Sequence, residues 1–140
     1  MSGPGSCSVR FLAAIVVVAL APVRLAAGTE TAKERFSRAL AEAKANLATP
    51  VGHEYDRVLA AYFSQQNAPI LQRCFKTTDK PDVTAFEMVF RLAKSGRVLE
   101  ALPWPETNVG MCLRDGLKAK TFPSPPREAY WAQMRMSFGP

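Results

Sequence analysis

A chain of 140 residues has room for one domain, and with 48% hydrophobic and 21% charged residues it is too apolar for disorder. The formal charge of +6 is dispersed, with no basic stripe interleaved with aromatics, which argues against nucleic acid as a partner. Arg10 and Arg24 both lie in an N-terminal segment read as removable, so the remaining chain keeps all but two of its 18 basic residues against 12 acidic ones.

Met1 to Arg10 is short and polar, and Phe11 to Val23 (FLAAIVVVALAPV) is apolar with Pro22 near its end. Leu25-Ala26-Ala27-Gly28 follows, placing Ala26 and Gly28 at the two small positions of a signal-peptidase site, with Thr29 as the expected first residue after cleavage. A retained membrane anchor is the competing reading. At ~1.5 Å per residue the apolar run gives about 20 Å of helix, short of the ~30 Å hydrocarbon core. Residues 1–28 therefore read as a signal peptide. The expected location is the periplasm or the exterior, without stable membrane insertion after cleavage. Cys7 leaves with this segment.

Thr31 to Ala48 reads as an amphipathic helix, with Phe36, Leu40, Ala43 and Leu47 on one stripe. Thr49-Pro50-Val51-Gly52 ends it, so residues 29–50 form an N-terminal helical segment ahead of a domain over 51–140. A second helix is predicted from about Glu54 to Lys76, with Tyr55, Val58, Leu59, Tyr62, Phe63, Ile70, Leu71 and Cys74 inward. Pro69 is expected to break or kink it, because proline has no N–H to donate. His53, the only histidine, reads as a first-turn helix residue rather than a base or ligand.

From Val83 the period changes to two. Phe86, Met88, Phe90 and Leu92 alternate with Glu87, Val89, Arg91 and Ala93, then Ser95-Gly96 turns the chain and Val98 to Leu102 returns. Pro103 and Pro105 are expected to stop that second arm. Thr107 is a credible N-cap for a third helix carrying Val109, Cys112, Leu113 and Leu117 on one face. After Phe122-Pro123-Ser124-Pro125-Pro126 comes a last strand, Tyr130 to Phe138. Its residues Tyr130, Ala132, Met134, Met136 and Phe138 share one face, with Trp131, Gln133, Arg135 and Ser137 on the other.

The fold class expected is α+β: a three-stranded antiparallel sheet in order 2-1-3, with helices on its apolar face and an amphipathic helix in front. A helical crossover makes the second and third strands parallel to each other, so the third pairs antiparallel with the first. Cys74 and Cys112 are the even pair left in an oxidising compartment and read as a disulfide.

Cys74, the strand Phe86 to Leu92, Ser95-Gly96-Arg97-Val98, Cys112, Phe122-Pro123 with Pro125 and the terminal apolar strand come in a characteristic order. Over about Ile70 to Phe138 the chain thereby resembles the TonB C-terminal-like fold, nearest the disulfide-bearing AgmX/PglI C-terminal type of bacterial envelope proteins. The resemblance implies a three-stranded antiparallel sheet with helices on one face. A TonB-like energy transducer keeps an uncleaved membrane helix and a long Pro-rich spacer. Here only Thr29 to Pro50 precedes the domain, and the Tyr-Pro pair that opens the TonB domain is missing. Energy transduction is therefore not expected.

No Gly-rich phosphate loop, metal-ligand spacing or Ser-His-Asp set is visible. Glu87 and Glu100 are the one carboxylate pair the hairpin could bring together, with Arg91 and Arg97 placed to make surface ion pairs instead. The expected function is a non-enzymatic, cofactor-free protein- or peptide-binding or adaptor module of the cell envelope. An extended partner is expected to pair with the open edge of the last strand, on a surface formed by Val89, Arg91, Trp131, Gln133 and Arg135. If the N-terminal helix covers Trp131, that outer face is closed instead. The alternative function is a secreted inhibitor or immunity-type protein that binds one enzyme.

Overall fold

A computed structural model describes residues 28–139. The signal segment read over 1–28 lies outside them, apart from Gly28. Chain order is α1 (Ala32–Leu47), α2 (Pro50–Thr77), β1 (Phe86–Leu92), β2 (Val98–Trp104), α3 (Asn108–Lys118) and β3 (Tyr130–Met136). The sheet is antiparallel throughout, in order β2-β1-β3. Among the described residues no helix is long and apolar enough to cross a membrane.

α1 begins at a capping box. Thr31 Oγ1 accepts from Glu34 N–H at 3.2 Å, while Glu34 Oε2 accepts from Thr31 N–H at 2.8 Å. Its buried stripe is Phe36, Ala39 and Ala43, with Leu40 and Leu47 half-buried at the margin. The two alanines let the helix backbone approach the sheet closely.

The corner between α1 and α2 is tight. Thr49 Oγ1 accepts from Gly52 N–H at 3.0 Å and caps α2, Pro50 takes a first-turn position, and a Cβ on Gly52 would lie 1.8 Å from the carbonyl oxygen of Asn46. α2 therefore starts four residues before the expected Glu54, because Thr49-Pro50 is a helix-starting pair as well as a helix-ending one. It also runs unbroken through Pro69 for 28 residues. Pro69 is exposed, whereas Phe63 and Asn67 before it and Ile70 and Cys74 after it are buried. Packing on both sides outweighs a local cost of about 3 kcal/mol, and the kink expected at this position does not end the helix. Val58, expected inward, is 44% exposed, since the packed stripe runs Tyr55, Leu59, Phe63.

α2 and α3 cover one face of the sheet. Tyr55, Leu59, Phe63, Ile70 and Cys74 from α2, and Val109, Leu113 and Leu117 from α3, pack on Phe86, Met88, Phe90 and Leu92 of β1 and on Tyr130 and Ala132 of β3. Phe90, Phe63 and Phe122 form an aromatic trio with centroids 5.2 to 5.6 Å apart. Cys74 and Cys112 are bonded to each other, with Cα atoms 5.8 Å apart, joining α2 to α3 as expected.

The hairpin turns at Gly96, whose φ of +83° suits glycine and whose Cβ position is filled by the Phe122 carbonyl, 1.9 Å away. β2 runs two residues past the expected stop. Pro103 pairs opposite Met88 on a strand with one free edge, where a missing N–H is tolerated. Lys94 pins the approach to β3: its Nζ donates to the Pro125 carbonyl at 2.6 Å, and its backbone N–H donates to Glu128 Oε2 at 2.9 Å.

α1 lies on the opposite face of the sheet from α2 and α3. Phe36, Ala39 and Ala43 cover Val89 and Trp131 in a second, smaller core, with Leu102 and Trp104 at its border.

Candidate functional site

The strand register decides which of the expected partner residues can meet a partner. Val89 faces Leu102 on β2 and Gln133 on β3, while Arg91 faces Glu100 and Trp131. These side chains are on the outer face, as their alternation requires. That face is not open, however. Val89 is 0% and Trp131 6% exposed under α1. The expectation that these two present a binding surface is corrected: an amphipathic helix with a Phe-Ala-Ala stripe needs an apolar surface, and the outer face of the sheet supplies it.

Arg91 is engaged by its neighbours, with its side chain 38% exposed. Its guanidinium carbon stands 5.7 Å from the Trp131 ring centroid, and its Nη2 is 3.4 Å from Glu100 Oε2. Glu100 is also paired with Arg35 of α1. Glu87 sits at the other end of the hairpin, opposite Trp104, so the two glutamates are not brought together. His53 is an exposed residue in the first turn of α2. Among the described residues there is no group of three or more His, Cys, Asp or Glu side chains arranged to hold a metal ion.

The free edge of β3 is divided into two halves. Asn46 Nδ2 donates to the Trp131 carbonyl at 2.9 Å, and Arg127 Nη2 in turn donates to Asn46 Oδ1 at 2.9 Å. The α1–α2 corner thus occupies the first half of the edge. Because Trp131 aims its carbonyl away from β1, the strand period of two aims the backbone N–H and C=O of Gln133 and Arg135 away from β1 as well. Within the described residues no intramolecular partner takes those outward groups.

Beside this second half lies a cleft of about 360 Å³. One wall is α2, with Asp56, Leu59, Ala60, Phe63 and Asn67. The cleft wraps the strand edge, with Met134 and Met136 of β3 on the α2 side and Glu87 of β1, Gln133 and Arg135 of β3 and Leu47 of α1 on the other. Gln133 is half-buried and Arg135 exposed. Asn67 is buried at 8% exposure, yet its Oδ1 has no hydrogen-bond partner, and neither has the buried Oε1 of Gln133.

Of the five residues expected to meet a partner, the structure thus leaves Gln133 and Arg135 at an open edge. Sequence reading missed Asp56 and Asn67. The signal available for Asn67 was its place in the stripe Tyr55, Leu59, Phe63, Asn67, Ile70, where a polar residue sits at a core position. Comparison of the chain with family models, with curated proteins and with solved structures gives no match.

Proposed function

We propose that the chain from Thr29 onward is an exported, non-enzymatic binding module of the cell envelope, and that it takes up an extended segment of a protein partner along Gln133–Met136 of β3. The observation that carries this reading is the half-open edge: outward backbone donors and acceptors at Gln133 and Arg135, next to a cleft of about 360 Å³. Strand addition needs both, since main-chain bonds supply affinity and pockets for alternate side chains supply specificity. The short apolar run Phe11 to Val23 ahead of Ala26 and Gly28 supports export. The resemblance to TonB C-terminal-like domains supports an envelope setting.

Two measurements test this. Intact-mass analysis of periplasmic material should find a chain that starts at Thr29, and a membrane-bound species retaining Phe11 to Val23 would defeat the export reading. A partner captured from envelope extract should be lost with Arg135→Pro and retained with Arg135→Lys. Pro removes an outward N–H that the fold does not use, so thermal stability should be little changed. Capture that persists with Arg135→Pro but fails on substitution of exposed α1 residues such as Arg38 would move the binding element to the helix.

A further inference from the structure

We propose that the cleft beside β3 selects a basic side chain, Lys or Arg, on the segment that pairs with the strand edge. This rests on the strand-addition reading and adds the chemistry of the occupant. Asp56 is the one charged residue lining the cleft on the α2 side, since Glu87 and Arg135 belong to the other face of the sheet, so that side is negative in a chain whose formal charge is +6. Asn67 lines the same side from α2, 8% exposed, with its Oδ1 unpaired.

An ammonium or guanidinium offers only donors and carries the complementary charge. The walls suit the rest of such a side chain. Leu59, Phe63 and Met136 give an apolar path for its methylene stem, with Asp56 left for its head. In an extended segment paired to β3, alternate side chains lean to the same face, and one of them falls over the cleft. A second copy of this chain suits the edge less well. Asn46 already holds the Trp131 carbonyl, so two β3 strands could pair only through the short stretch Gln133–Met136.

The test uses ¹⁵N-labelled protein recovered from the periplasm and three synthetic peptides of alternating Thr and Val. Their central residue is Lys, norleucine or Glu. Binding is followed by amide shifts of Gln133 to Met136. The Lys peptide should bind about tenfold or more tightly than the norleucine peptide, with the Glu peptide weakest. Asp56→Asn should shrink the Lys preference to about twofold while the norleucine peptide is unaffected. Arg135→Pro should abolish binding of all three. Equal affinity for the three peptides, still lost with Arg135→Pro, would overturn the basic selectivity and leave strand addition standing. Failure of every peptide to shift β3, or binding indifferent to Arg135→Pro, would overturn both. Sedimentation equilibrium of the protein alone should show a monomer; a dimer that Arg135→Pro dissociates would make a second copy the occupant and overturn the proposal.

Discussion

Trp131→Ala is expected to cost about 3–5 kcal/mol of stability and to loosen α1 before the rest of the domain. The indole is 6% exposed and is the largest side chain of the core formed by Phe36, Ala39, Ala43 and Val89. Removing it takes away most of what α1 packs on. The ties that remain include Asn46 to the Trp131 carbonyl, which the substitution keeps, Arg127 to Asn46, the Phe36–Trp104 contact and the Arg35–Glu100 pair. A surface pair of this kind contributes little. Urea unfolding gives the total loss, and hydrogen exchange at amides of α1 shows whether that helix opens first. An exposed tryptophan would behave differently: its replacement would change stability by no more than about 0.5 kcal/mol and act only on binding. A result of that size would mean that α1 does not cover the sheet.

Removing the disulfide should be comparably costly. Cys74 and Cys112 stand 38 residues apart, and closing a loop of that length restricts the unfolded chain by about 4 kcal/mol in the entropic treatment. The effect here falls on the contact between α2 and α3, which share one face of the sheet. The double variant Cys74→Ala, Cys112→Ala should therefore unfold at markedly lower urea, and thiol counting on the unreduced protein should find neither cysteine free. An unchanged midpoint in the double variant would mean that packing of Ile70, Leu113 and Leu117 alone holds the two helices.

Taken together, these two substitutions separate the two faces of the molecule. Loss of Trp131 weakens the face under α1, and loss of the bond weakens the face under α2 and α3. The β3 edge lies between them. The α1–α2 corner closes its first half, and α2 walls its second half. A loosened α1 should expose the backbone carbonyl of residue 131 for pairing as well, so Trp131→Ala is unsuited to probing the edge. Arg135→Pro acts on the edge alone and is the cleaner probe.

Much of the fold was legible in the chain because it depends on local periodicity. Period two over Phe86 to Leu92, Val98 to Leu102 and Tyr130 to Phe138 marks three strands, and the crossover rules order them 2-1-3. Thr107 as a cap and Gly96 as a turn residue read correctly, since caps and positive φ are set by the residue itself. The pairing of Cys74 with Cys112 followed from counting. Other features were decided by tertiary packing. α2 continues through Pro69 because buried residues on either side outweigh a local penalty. The apolar stripe of α1 announces that the helix needs a partner surface but does not name one, so only the folded chain places it on Val89 and Trp131. The open half of β3 depends on where the α1–α2 corner meets the strand, and the cleft depends on α2 passing beside that strand from far along the chain. Alternation along a strand assigns a side chain to a face; whether that face is covered depends on contacts between distant segments, which periodicity does not encode.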